Sequence, residues 1–184
     1  MSSNSRLNLY FIAIVPGLPI REDINSIKKR IHQDFHSAEA LRSPPHITLH
    51  MPFKWKEDRE NQLISGLSEF CSEQGPFDIE LDGYGYFPRR VVFIKVLPSE
   101  VLQDLAIRVR RLGRRKWKLA FEESRPFAPH ITVAFRDLNK EAFGSCWQQY
   151  KDQPFRSSFI CCGITLLKHD GKKWLEHHQF SFSG

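Results

Sequence analysis

The chain has 184 residues, 41% of them hydrophobic, and a net charge of +6, which is enough apolar material to close a core and too much for a disordered basic tail. The apolar run LYFIAIV at positions 9–15 stops at Pro16-Gly17; it is too short to span a membrane and lacks the small-residue cleavage site of a secretory leader. The four cysteines, Cys71, Cys146, Cys161 and Cys162, show no C-x-x-C spacing, which argues against a zinc or disulfide framework and for a reducing cytoplasm.

In chain order, LYFIAIV reads as a buried strand. Ile24, Ile27, Ile31, Phe35, Ala38 and Leu41 recur every three or four residues and predict a helix with one apolar face. PHITLHMPF at 45–53 follows as a strand. Leu63, Ile64, Leu67, Phe70 and Cys71 predict a second helix, closed by Gly75-Pro76 and followed by the extended run FDIELDGYGYF at 77–87. The order then restarts. VVFIKVL at 91–97 is a strand, Leu102, Leu105, Val109 and Leu112 mark a helix from about Ser99, and PHITV at 129–133 is a strand. Phe143, Cys146, Trp147 and Tyr150 mark another helix. SFICCGITLLK at 158–168 and KWLEHHQFSF at 173–182 read as two strands joined by a hairpin at Asp170-Gly171.

Sequence matches accompany this repeated order. PHITL at 45–49 is echoed by PHITV at 129–133, FIAIVP at 11–16 by FIKVLP at 93–98, and GPF at 75–77 by QPF at 153–155, at a nearly constant offset of about 80 residues. The expectation is one unit over 1–184, with an internal repeat at about 7–87 and 91–168 plus a C-terminal strand at 174–182. Two similar lobes related by a pseudo-twofold axis would bring the two PHIT strands together across a cleft.

Side chains alternate along a strand, so in each H-x-T the His and Thr share a face while the Ile turns inward. Such a cleft would hold His46, Thr48, His130 and Thr132. Histidine's ordinary pKa of about 6.5 lets one ring be neutral and the other protonated, the pairing that general base and general acid catalysis need. The threonine hydroxyls would donate to the free oxygens of a phosphate held between the rings. His50 falls two residues after Thr48 and is a candidate for the same face. Arg42, Phe53, Arg125, Phe127 and Arg136 are candidates for the cleft rim, although core packing is the plainer role for Phe53 and Phe127.

Other features have bland readings. RVRRLGRRKWK at 108–118 carries seven basic residues and Trp117; this is either an electrostatic footprint for RNA or a helix end with cations at its C-terminus. His32 and His36 are spaced like a metal pair but lack a third ligand. His177 and His178 alternate on a strand. No acidic cluster flanks either PHIT, so no metal or other cofactor is expected.

PPHITLHMPF and RPFAPHITVAF resemble the two H-x-T/S-x signatures of the 2H phosphoesterases, the group that includes the 2'-5' RNA ligases and 2',3'-cyclic phosphodiesterases. The likeness extends over nearly the whole chain, including GYGYFPRRVVFIKV between the halves. It implies a bilobal α+β fold in which antiparallel sheets, flanked by helices, surround a central cleft. His46 and His130 would be the acid–base pair, and Thr48 and Thr132 the phosphate ligands. The implied reaction is metal-independent hydrolysis of 2',3'-cyclic phosphates on RNA ends or nucleotides by a monomer, with RNA ligation as its reverse. Cleavage of 2'-5' oligonucleotides and non-catalytic binding of a nucleotide or RNA are the alternatives. Many members have Phe five residues after the first motif His and Arg five after the second; this chain has Met51 with Phe53 beyond it, and Phe135 before Arg136.

Overall fold

The computed structural model describes residues 5–88, 90–120 and 126–184. The apolar run near the N-terminus forms β1 (Leu7–Ile14), followed by α1 (Ile20–Phe35), β2 (Ile47–Lys56), α2 (Glu60–Ser72) and β3 (Phe77–Phe87). The same order recurs in β4 (Val91–Val96), α3 (Glu100–Trp117), β5 (His130–Ala134), α4 (Lys140–Tyr150) and β6 (Arg156–Cys161). A hairpin of β7 (Gly163–His169) and β8 (Trp174–Ser181) completes the chain, turning at 170–173. Ser99 and Asn139 start α3 and α4 by accepting from the backbone N–H of Leu102 and Ala142, donors that would otherwise be orphaned in the first turn.

Two elements differ from the periodicity. The first helix ends at Phe35, with His36 in the left-handed region closing it, and does not run on to Leu41. A tertiary contact overrides the pattern. The Asp137 carboxylate, just after β5, accepts from the Ser37 hydroxyl at 2.7 Å and from the backbone N–H of Ala38 and Glu39 at 2.5 and 2.9 Å. These bonds start a short 3-10 helix, Glu39–Arg42, that packs against β5. The run 158–168 is likewise two strands, broken at the exposed Cys162.

That break reports the shape of the sheet. Among the described residues eight strands, all paired antiparallel, lie in the order β6-β3-β4-β5-β2-β1-β7-β8. β6 is at one edge and β7 is next to the other, yet a single residue joins them, so their ends lie no more than about 7 Å apart. The sheet therefore curls until its ends meet. There the Phe182 N–H donates to the Cys162 carbonyl at 2.8 Å, and Phe77 stacks on Phe182.

All four helices contribute to one continuous core on one side of the sheet. The crossover helices exchange sides: α1, which links β1 to β2, packs on β5 and α4, whereas α3, which links β4 to β5, packs on β2. Among the described residues, the opposite face carries a small buried cluster of Phe11, Ala13 and Leu167, with Val15 and Trp174 against it. No helix among the described residues is long and apolar enough to cross a membrane.

β2 and β5 meet at the centre of the sheet through one registered pair, Ile47 opposite Ile131, and both side chains are completely buried in the helix-side core. Truncating either to Ala should cost about 2–5 kcal/mol, and Ile→Val about 0.5–1.5 kcal/mol. Urea titration of Ile47→Ala and Ile131→Ala checks this, and a loss below about 1 kcal/mol would show that the pair does not hold the two strands together.

Candidate functional site

An antiparallel register centred on Ile47 and Ile131 sets His46 across from Thr132 and Thr48 across from His130. Because the isoleucines point into the core, all four polar side chains stand on the opposite, concave face. All four are half-buried. The flanking strands extend this face. β1 places Ala13 opposite Thr48, and β4 places Phe93 opposite Thr132 and Lys95 opposite His130.

The two histidines are held in the same way. His46 Nδ1 lies 2.7 Å from the Pro44 carbonyl, and His130 Nδ1 lies 2.7 Å from the Ala128 carbonyl. A carbonyl only accepts, so each Nδ1 carries the proton and donates it, leaving Nε2 as the reactive nitrogen of the neutral ring. Each ring also rests on a phenylalanine, His46 on Phe11 at 4.8 Å between centroids and His130 on Phe93 at 5.1 Å. Behind each phenylalanine stands another aromatic ring, Trp174 behind Phe11 and Phe87 behind Phe93, both at 4.5 Å. Phe87 also meets His130 edge-on at 4.9 Å.

These apolar beds set the electrostatics, because removing water disfavours an imidazolium. Burial pushes His46 down to about 4; the Pro44 carbonyl opposes this, while the positive charges of Lys28 and of a protonated His130 add to it. Burial also holds His130 below its ordinary value, against the pull of the Ala128 carbonyl. Lys28 is itself unusual. It is 1% exposed on α1, its ammonium donates to the Ser43 carbonyl at 3.0 Å, and burial, with the Arg21 charge added, pushes it down to about 7. Its bond to Ser43 anchors the turn that leads into His46.

The remaining candidates scatter. His50 is 1% exposed and lies on the helix side. A bulge in β2 sets both Leu49 and His50 against a single step of β1, so that Thr48 opposes Ala13 while His50 opposes Ile12, a core residue. The alternation behind the sequence expectation breaks at that bulge. His50 Nδ1 donates to the Met51 carbonyl at 2.9 Å, its Nε2 is buried with no hydrogen-bond partner among the described residues, and Gly113 of α3 packs close over the ring. Phe53 is a core residue, stacked on Tyr10 at 6.1 Å. Phe127 packs against the core with the Arg110 guanidinium over its ring at 5.1 Å. Arg136 is exposed, over Phe135 at 5.2 Å. Arg42 pairs with Glu39 at 3.2 Å on the 3-10 helix that touches β5. Arg125 lies outside the described residues.

Most of the basic run lies on α3, the helix under β2 on the side away from the motif face, and several of its cations are engaged there. Arg110 donates to the Leu49 carbonyl at 3.1 Å, Arg108 pairs with Asp104 at 3.6 Å, and Lys116 pairs with Glu69. His32 and His36 are exposed, and among the described residues no three His, Cys, Asp or Glu side chains gather as a metal site. Phe11 and Phe93 are the site residues that motif reading passed over. Their signal lies in the repeat itself, since each opens the matched hexapeptides FIAIVP and FIKVLP.

The fold is shared with known proteins. The family model for the 2'-5' RNA ligase superfamily matches residues 16–173. A protein of Geobacillus kaustophilus, named only at the level of phosphoesterase, is 32% identical over 146 residues, 78% of this chain and 78% of its own. A similarly named protein of Oceanobacillus iheyensis is 25% identical over 174 residues, 93% of this chain and 96% of its own. Among solved structures, E. coli LigT complexed with 3'-AMP aligns with a TM-score of 0.67 at 21% identity, covering 97% of this chain and 100% of LigT. A Thermus thermophilus protein aligns with a TM-score of 0.69 at 21% identity, covering 96% of this chain and 98% of its own. These likenesses show the fold, and the family match shows membership: the chain belongs to the 2'-5' RNA ligase superfamily, among relatives named as phosphoesterases.

Proposed function

We propose that the protein hydrolyses 2',3'-cyclic phosphates on RNA ends or nucleotides, with His46 and His130 as paired acid and base. The observation that carries this reading is the mirrored pair of imidazoles, each locked through Nδ1 so that Nε2 is the nitrogen left for substrate. A cyclic phosphate seated between them would receive hydrogen bonds from Thr48 and Thr132 on its non-bridging oxygens. One Nε2 takes a proton from the attacking water as the new P–O bond forms, and the other Nε2–H protonates the ribose oxygen as the old P–O bond breaks. The products are a phosphate monoester and a free ribose hydroxyl, and the two rings have exchanged protonation states. With a 5'-hydroxyl in place of water as the nucleophile, the same steps ligate. The solved complexes of E. coli LigT with 3'-AMP, ATP and NADP+ support nucleotides as the ligand class.

Replacing either histidine by Ala should lower kcat on a 2',3'-cyclic nucleotide by about 10²-fold or more with the fold retained, the scale of a lost positioned acid or base. A folded single variant with near-wild-type turnover removes the paired mechanism.

The pH dependence follows from the depressed values. The active free enzyme needs one ring neutral and one protonated, but with His46 near 4 and His130 also below about 6.5, both rings are neutral at pH 7. A bell-shaped kcat/KM profile should therefore peak on the acid side of about 6.5, with limbs that belong to the coupled pair. Bound phosphate favours the imidazolium, so the kcat optimum should lie at higher pH than the kcat/KM optimum. The series is run on chelator-treated protein. An optimum above pH 7 in kcat/KM would contradict the dry site, and activity lost on chelation and restored by a divalent ion would make the histidines metal ligands.

Gly85 of β3 supports the second half of the site. A β-carbon there would fall 2.6 Å from the Phe93 ring, so Gly85→Ala must tilt the ring that carries His130. The expected outcome is a drop in kcat of about tenfold or more with a smaller change in KM, because misplacing a proton-transfer group weakens the transition state more than binding. Unchanged kcat would make Phe93 mere packing.

A further inference from the structure

The two halves of the site differ in one charge. In the matched hexapeptides FIAIVP and FIKVLP the third position is Ala13 in β1 and Lys95 in β4. Ala13 is fully buried in the small apolar cluster of the concave face. Lys95 is exposed on the same face, directly across from His130 in the register of β4 and β5. Its stem crosses β3 at two glycines, Gly85, which the Phe93 ring also covers, and Gly83. A β-carbon at Gly85 would stand 3.4 Å from Lys95 Cγ, and one at Gly83 would stand 3.4 Å from Cε and from Nζ. Gly83 has φ +67, a conformation that disfavours side chains, and it sits in a bulge of β3. Among the described residues Lys95 makes no ion pair or side-chain hydrogen bond. Farther along β3 the surface turns acidic, in a depression of about 680 Å³ lined by Asp78, Glu80 and Asp82, where Asp82 pairs with Arg156 at 3.7 Å.

We infer that Lys95 is the cation of a second anion-binding subsite, which takes a phosphate of the substrate other than the one between the histidines. The ammonium lies over Gly83 of β3, about two and a half strand spacings from the line between β2 and β5, or about 12 Å. An ammonium at that distance suits the next phosphate along a nucleotide. Phe93 covers Gly85, so the room for a phosphate is at Gly83 beside the end of the Lys95 stem, and the carboxylates beyond it confine the anion to Lys95. The ligand class is then a nucleotide with phosphates on both sides of its ribose, as in the last nucleotide of an RNA strand, in preference to a cyclic nucleoside monophosphate alone. This rests on the cyclic phosphodiesterase reading of the histidine pair and narrows its substrate.

The test compares adenosine 3'-monophosphate with adenosine 3',5'-bisphosphate by titration calorimetry at low ionic strength, on wild type, Lys95→Gln and Lys95→Arg. The readout is the ratio of the two affinities, which cancels any general effect of a substitution on the site. Wild type should favour the bisphosphate by about tenfold, the range of a charge-assisted bond at an exposed site. Lys95→Gln should bring the ratio close to one, Lys95→Arg should keep most of it, and added salt should shrink it in wild type. No preference in wild type, no binding of the bisphosphate, or a ratio unchanged in Lys95→Gln would each overturn the subsite. Turnover of adenosine 2',3'-cyclic monophosphate, measured alongside, separates the two readings: its absence defeats the phosphodiesterase, whereas turnover with an unchanged affinity ratio defeats only the subsite.

Discussion

Everything on the concave face depends on Ile47 lying opposite Ile131. Strand side chains alternate with a period of two, so a slip of one residue in either motif strand would carry its His and Thr into the core and its Ile into the cleft. Burying two polar groups and exposing an isoleucine would cost more than one ladder bond is worth, and the register is set by that difference. The pairing between β2 and β5 is nevertheless short, and the chain reinforces it from outside the ladder. Asp137, at the end of the second motif strand, holds the segment that leads into the first, and each crossover helix packs beneath the other half's motif strand.

Facing alone does not make reactive imidazoles. Each ring is held by a carbonyl two residues upstream and pressed on a phenylalanine, so tautomer, orientation and dryness come from parts only a few residues long. The carbonyl favours the protonated ring and the apolar bed disfavours it, and the bed prevails on both sides. A pair of rings that resists protonation when empty gains most from an anion placed between them. On the proposed reaction, binding the phosphate and protonating the acid are one electrostatic event.

Sequence carried the elements and the central four residues because both are written in short-range patterns. Apolar spacing located the helices, and the duplicated H-x-T located the cleft. The end of α1 was hidden because it is set by Asp137, a hundred residues away from Ser37. The break at Cys162 was hidden because it answers to the curl of the whole sheet, which places β6 and β7 at positions no local pattern records. His50 looked like a third cleft residue because alternation was extended through a bulge that the sequence does not mark. Phe11 and Phe93 were visible as repeat partners, but a phenylalanine in an apolar strand does not announce which face it takes.

The departures from symmetry are as informative as the repeat. Two equivalent half-sites would treat the two oxygens of a cyclic phosphate alike, and a nucleotide could enter in either direction with equal energy. This chain breaks the equivalence beside the reacting groups, not at them. Trp174 backs one phenylalanine and Phe87 the other, the buried Lys28 charge bears on His46, and the exposed Lys95 charge stands by His130. On the proposed reaction the histidines and threonines are matched because in-line displacement would need a proton-transfer group on each side of phosphorus and donors between them. Their surroundings diverge because only a lopsided field can fix which way round an asymmetric substrate lies.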